Sequence, residues 1–285
     1  MFAESVVRVG VEPDVELFVA ETSGPAERTL LVVHGGPDWD HSYLREPLAE
    51  LAGDHRVLLP DLRGCGRSTR GLPEHEYNWD AVVRDLLGLL TAKRVETADV
   101  LGFSTGGRIA QRLALAAPHR VRRLVVASSG MLPVPPDAFA GWAERDLRQA
   151  QGAELCPVPA GLTGPELVRA WALAAAPASV WRREVLPGYL RRLDAVRFSA
   201  EWARPWQAGR LPSALPDDAI ARFAELALPV LLLHGRADMT FPASLAETAA
   251  RQLASARAVV LDEAGHMAHV DQPERWLSAL ASFLA

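Results

Sequence analysis

Short apolar runs recur along the chain, each closed by a polar or glycine-rich break: Thr29–His34, Arg56–Pro60, Ala98–Phe103, Arg123–Ala127, Pro229–His234 and Arg257–Leu261. Their apolar side chains fall at consecutive positions, which suits parallel strands covered on both faces. Ahead of them, the alternation of Val6, Arg8, Glu12, Val15, Leu17 and Val19 predicts edge strands. Helical spacing fills the intervals. Asn78 is placed to cap WDAVVRDLLGLLTA, in which Val82, Leu86 and Leu89–Leu90 share one face, and Thr105–Ala117 and Glu274–Leu284 read likewise. Alternating strand and helix predicts an α/β fold, a mostly parallel central sheet with right-handed crossovers and helices on both faces.

The alternation fails between about Gly130 and Glu225. That stretch holds eleven of the 21 prolines and five of the eight tryptophans: Trp142, Trp171, Trp181, Trp202 and Trp206. Its pieces Glu166–Ala176, Ser179–Leu186 and Tyr189–Val196 read as helical, with no central strand. Linkers do not carry so many large aromatic side chains. The expected organisation is therefore a core of residues 1–129 and 226–285, with residues 130–225 inserted as a helical unit.

Composition narrows the function classes. With 285 residues, 49% hydrophobic and 23% charged, the chain is long enough for a large core and is not disordered. A net charge of −5 argues against sequence-independent nucleic-acid binding, which needs a basic surface. Two cysteines, Cys65 and Cys156, make no disulfide framework. The N-terminal residues lack the basic and apolar regions of a secretory signal, and no apolar run approaches the ~18 residues that cross a bilayer. The expectation is a cytoplasmic protein without membrane or nucleic-acid partners.

The strongest chemical signal is Gly102-Phe103-Ser104-Thr105-Gly106, between a buried run and a helical one. Strand, sharp turn and helix are what a nucleophile elbow requires, with small neighbours around a strained serine. A serine hydroxyl needs a base. Among eight histidines, His266 follows the last run directly, with His269 as competitor; His41, His55, His75 and His119 are expected to be solvated. Asp238, just after VLLLH, is placed to orient the base, with Asp262 as the alternative. The chain order is then Ser104, Asp238, His266. An oxyanion needs amide donors, and Gly36 in His34-Gly35-Gly36-Pro37 joins Thr105, since Pro37 has no N–H. His34 is expected to brace that loop. Arg63, Cys65 and Arg67 in DLRGCGRS read mainly as loop architecture.

HGGPD at 34–38, DLRGCGRS at 61–68, GFSTGG at 102–107, HGRADMTFP at 234–242 and GHMAHVDQPERW at 265–276 together resemble the ordered landmarks of the α/β-hydrolase superfamily. HGGP followed by DHSYL resembles its proline iminopeptidase branch, departing from it at Asp38, where that branch usually has glycine. The FSTGG elbow is similar to those of aryl esterases and cofactor-independent perhydrolases. The resemblance implies a serine hydrolase whose insertion is a cap over the nucleophile, with a non-hydrolytic biosynthetic or ligand-binding member of the superfamily as the alternative. Asp38, Trp142, Trp171 and Trp181 are then the candidate substrate contacts, and an iminopeptidase would need a cap carboxylate such as Glu144, Glu166, Glu184 or Glu201 for the substrate ammonium. No metal-ligand cluster or dinucleotide fingerprint is present, so no cofactor is expected. The expected substrate is a small-molecule ester, lactone or amide, or a short peptide.

Overall fold

The computed structural model describes residues 1–285. Eight strands form one sheet: β1 (Phe2–Val11), β2 (Asp14–Thr22), β3 (Thr29–Val33), β4 (Arg56–Pro60), β5 (Ala98–Phe103), β6 (Val121–Ala127), β7 (Val230–Gly235) and β8 (Ala256–Leu261), in the order β1-β2-β4-β3-β5-β6-β7-β8. β1 and β2 form an antiparallel hairpin at one edge; from β4 to β8 every pairing is parallel. The long hairpin and the six apolar runs thus stand where their patterns place them.

Consecutive apolar positions serve two separate cores. In β3, Leu31 and Val33 point to the core that includes the Trp79–Ala92 and Thr105–Ala116 helices, while Leu30 and Val32 point to the opposite core with the Pro273–Leu284 helix. β5 splits the same way, Val100 to the first face and Leu101 and Phe103 to the second. This is the two-residue period of a strand with neither face wet. The Asn78 side chain accepts from the Ala81 N–H at 2.9 Å and starts its helix as its position predicts.

Between β6 and β7 the chain makes no strand. It runs through helices Ala143–Leu155, Gly164–Ser179, Leu186–Ala195, Ala203–Gln207 and Ala219–Leu226. Three of these are not expected from sequence: Ala143–Leu155 carries only a weak apolar stripe and Ala203–Gln207 is a five-residue piece, whereas the eight-residue Ala219–Leu226 helix does turn one apolar face, with Ala219 and Phe223, inward. The expected helix at Ser179–Leu186 is absent. The preceding helix extends to Ser179, the backbone becomes extended at Val180, and only a short 3₁₀ turn, Arg183–Val185, follows. Side chains satisfy the break: Arg148 donates to the carbonyls of Pro177, Val180 and Trp181, and Asp271 accepts the N–H groups of Trp181 and Arg182. A helix there would have to give up these bonds.

The inserted segment is docked by Trp202. Its ring stacks on Trp79 at 4.8 Å between centroids, and its Nε1 donates to the Arg63 carbonyl at 2.8 Å. Two histidines expected at the solvated surface are buried instead. His41 lies against Asp61 at 2.5 Å, and His55 packs beneath the hairpin strand, its carbonyl accepting from Thr22. Both sit in polar-looking loops that fold inward over the sheet; His75 and His119 are exposed. No helix is long and apolar enough to cross a membrane.

Candidate active site

The site stands at the carboxyl ends of β3, β5, β6 and β7, where open α/β sheets place their ligand crevices. At the end of β5 the chain turns at Ser104, with φ 55° and ψ −125°, straight into the Thr105–Ala116 helix. A non-glycine residue with positive φ is strained, and the packing around the turn holds it. Gly106 shows how tightly: a Cβ there would lie 2.2 Å from the Val33 carbonyl oxygen.

Ser104 Oγ lies 3.1 Å from His266 Nε2, across 162 residues of chain. His266 Nδ1 lies 3.0 Å from Asp238 Oδ2 and 3.2 Å from Oδ1. With a carboxylate on the Nδ1 side, that nitrogen carries the proton and donates, leaving Nε2 free to accept from the serine. Asp238 also accepts the N–H groups of Thr240 at 2.7 Å and Phe241 at 2.9 Å. Burial alone would raise its pKa, but the His266 charge and the hydrogen bonds from His234 and His266 outweigh that and hold the carboxyl well below the usual range. It is an anion at any working pH.

The His266 loop is fastened on both sides. The Gly265 N–H donates to Asp271 at 2.8 Å and the Met267 N–H to the Ser179 carbonyl at 2.8 Å. Phe103 and Phe241 pack on the imidazole, with centroids at 5.2 and 5.9 Å. The competitor residues stand elsewhere. His269 is sealed among Tyr43, Phe103 and Trp276, and neither of its ring nitrogens has a hydrogen-bond partner. Burial pushes its pKa down to about 3. Asp262 is on the surface, paired with Arg236 at 3.2 Å.

Gly36 and Thr105 border one small cavity of about 10 Å³, and neither N–H is consumed by a loop or turn hydrogen bond. The loop carrying Gly36 is braced by His34. Its Nδ1 donates to the Gly35 carbonyl at 2.7 Å, so Nε2 accepts from the Leu62 N–H at 3.0 Å. Burial keeps this imidazole neutral by lowering its pKa. The Gly35 N–H donates to the Tyr43 hydroxyl at 2.8 Å. The 61–68 loop does structural work, as its residues suggest. Arg63 makes a two-pronged pair with Asp85 at 2.6 and 2.7 Å, and Arg67 lies over the Phe18 ring beside Asp61. Cys65 is buried, and burial pushes its thiol pKa up, away from a nucleophilic thiolate.

A pocket of about 280 Å³ opens between the Gly36–Trp39 segment and the Gly164–Ser179 and Ala203–Gln207 helices. Trp39, Val168, Trp171 and Trp206 give it apolar walls, and Trp171 and Trp206 meet edge to face at 6.2 Å. Of the expected substrate contacts, Trp171 and Asp38 border this pocket. Asp38 is 2% exposed, and its carboxylate already accepts from the Ser199 hydroxyl at 3.0 Å and the Trp202 N–H at 3.1 Å. Trp142 and Trp181 line no wall of it. Trp142 stacks on Phe139, and Trp181 lies under the Arg148 guanidinium at 4.8 Å. Trp206, one of the five tryptophans of the insertion, also lines the pocket, and Trp39 is the tryptophan that sequence reading left out. The signal was there for Trp39, which stands three residues after Gly36.

Comparison with known proteins agrees with this architecture. The family model described as alpha/beta hydrolase fold matches residues 28–273. The 2-hydroxymuconate semialdehyde hydrolase of Pseudomonas sp. (strain CF600) is 32% identical over 266 residues, covering 90% of this chain and 86% of that protein. The rhodomycin D methylesterase DauP of Streptomyces sp. (strain C5) is 30% identical over 275 residues, covering 91% of each chain. Among solved structures, a proline iminopeptidase-related protein from Thermus thermophilus superposes with a TM-score of 0.73 at 26% identity, covering 100% of this chain and 97% of that one. The chain belongs to the alpha/beta hydrolase fold family and is an enzyme of hydrolase type.

Proposed function

We propose that the protein cleaves a carboxylic ester, lactone or amide of a small molecule through an acyl-enzyme on Ser104. The observation that carries this reading is the pair of contacts made by His266, 3.1 Å to Ser104 and 3.0 Å to Asp238. As Ser104 Oγ attacks the substrate carbonyl, its proton passes to His266 Nε2, and the buried Asp238 carboxylate stabilises the imidazolium that forms. The Gly36 and Thr105 N–H groups receive the oxyanion, and the positive end of the Thr105–Ala116 helix favours charge there. His266 then returns the proton to the leaving group. Water, deprotonated by the same imidazole, releases the acid and restores the serine.

Residues 130–225 act as a cap in this reading. The Trp39, Val168, Trp171 and Trp206 pocket, sharing Gly36 with the oxyanion site, takes the apolar part of the substrate. A methylesterase and a semialdehyde hydrolase among the relatives support a small carbonyl compound as substrate. Ester or lactone cleavage is favoured over removal of an N-terminal proline. The pocket's one carboxylate, Asp38, is already occupied by Ser199 and Trp202, and Glu144 and Glu184 are paired with arginines. None of the three is left to hold a substrate ammonium; Glu201 accepts from the Tyr77 hydroxyl and the Gly71 N–H, and Glu166 is exposed in the first turn of its helix and lines no wall of the pocket.

The test is a panel of short and aryl p-nitrophenyl esters, lactones and a proline arylamide, run on the wild type and Ser104→Ala. Ester or lactone turnover that Ser104→Ala abolishes is expected. Turnover confined to the proline arylamide would overturn the substrate assignment, and full activity in Ser104→Ala would overturn the mechanism.

A further inference from the structure

Arg108 stands one helical turn beyond Ser104 and has no polar partner. Every other arginine that is even partly buried has one. Arg63 holds Asp85, Arg148 holds Glu144 and three carbonyls, Arg122 holds Asp99, and Arg112 and Arg145 hold backbone oxygens. Arg108 makes no hydrogen bond and no ion pair; its Nε is fully covered with nothing to donate to. Burial moves its pKa downward, and no carboxylate is within ion-pair reach to oppose the shift. Its guanidinium lies over the Phe241 ring at 4.8 Å, a contact that engages one face of the group and leaves the N–H edge free.

That guanidinium borders a cleft of about 1030 Å³. Leu132, Leu215, Ile220 and Phe241 supply apolar walls. The cleft sits where the inserted segment leaves and rejoins the sheet, beside the loops that follow β6 and β7, so it shares the sheet edge on which Ser104 stands. Phe241 is common to both places: it packs on Arg108 and on the His266 imidazole at 5.9 Å. Asp217 and Asp218 border the same cleft without pairing with Arg108, so they do not fill its donors.

We propose that this cleft is a carboxylate-binding subsite in which Arg108 receives the anionic end of an otherwise apolar substrate. A partly buried guanidinium whose Nε has nothing to donate to lowers stability unless a ligand supplies the partner. A planar fork with a free edge matches a carboxylate, and the apolar walls beside it suit the rest of such a ligand. The proposal deepens the serine-hydrolase reading and rests on it only for the statement that the anion belongs to the substrate.

The experiment compares 4-phenylbutyrate with 4-phenylbutanamide, two ligands of one shape that differ in charge, by calorimetric titration of the wild type, Arg108→Gln, Arg108→Lys and Ser104→Ala. The wild type should bind the acid at least tenfold more tightly than the amide. Arg108→Gln should erase that preference, Arg108→Lys should keep part of it, and Ser104→Ala should keep all of it. Equal affinity of the wild type for acid and amide, a preference that survives in Arg108→Gln, or no saturable binding of the acid would each overturn the proposal. Should Arg108→Gln fail to fold, Arg108→Lys decides: an acid preference undiminished in that variant would place the anion elsewhere and overturn the proposal. Ser104-dependent ester turnover is scored separately, so loss of the subsite and loss of the hydrolase reading give different results.

Discussion

The Asp38 carboxylate accepts the hydroxyl proton of Ser199 at 3.0 Å, joining the loop that carries Gly36 to the inserted segment 161 residues further on. The Ser199 N–H also donates to the Asp38 carbonyl, at 2.9 Å. Asp38 has φ 70°, a left-handed conformation that asparagine accepts better than alanine. Asp38→Asn keeps both the acceptor oxygen and the backbone preference. Asp38→Ala loses both and frees the Gly36 segment. The expected outcome is a fall in kcat of about tenfold or more for Asp38→Ala, equivalent to about 1.4 kcal/mol in the barrier, and a smaller fall for Asp38→Asn. Steady-state kinetics with one ester substrate checks the order.

Gly35 gives a sharper steric test. A Cβ on it would lie 2.9 Å from the Ser104 Cβ and 3.1 Å from the Tyr43 hydroxyl, so one methyl group must push the serine or the loop aside. Displacement of about 1 Å at a reacting group costs on the order of 10² in rate. Gly35→Ala should therefore lose about that much kcat while thermal unfolding still shows a folded protein. Unchanged kcat would mean that Ser104 tolerates the shift.

Buried neutral histidines make stability fall as the solution is acidified. Burial drops His269 from 6.5 to about 3, and His34 moves in the same direction. Below about pH 6.5 the unfolded chain takes up protons that the folded chain refuses, so stability falls as pH falls through the interval from 6.5 to 3. Each such group contributes a slope of up to about 1.4 kcal/mol per pH unit. His269→Leu removes one of them, and urea unfolding between pH 7 and 5 should show a shallower decline than in the wild type. An identical slope would contradict the assignment.

Trp202 is the anchor whose loss should be felt as stability. It is 1% exposed, stacked on Trp79 and bonded to the Arg63 carbonyl. Trp202→Ala should cost about 3–5 kcal/mol, measured by denaturant unfolding, because it opens a cavity and strands a buried carbonyl together.

The parts of this molecule that sequence reading reached are those where local pattern and tertiary role coincide. Doubly apolar runs such as Leu30–Val33 are short and closed by glycine or polar breaks, which favours strands covered on both faces over helix, and GFSTGG between such a run and a helix admits few other turns. His266 and Asp238 follow their strands directly, so the order of elements brings them to Ser104. The inserted segment resisted because long-range partners decide its structure. Val180–Arg182 is extended because Arg148 and Asp271 reach it from other elements. His41 is buried because Asp61 lies 20 residues away in a loop folded over it. Asp38 is an internal tether because Ser199 and Trp202 arrive from the insertion. No periodicity records such partners.

The most direct measurement of the central claim is intact-protein and peptide mass spectrometry of enzyme quenched during turnover of a p-nitrophenyl ester. An added acyl mass is expected on the peptide containing Ser104, accompanied by a burst of p-nitrophenol, and neither in Ser104→Ala. Turnover without any acylated protein, or acylation at a residue other than Ser104, would contradict it.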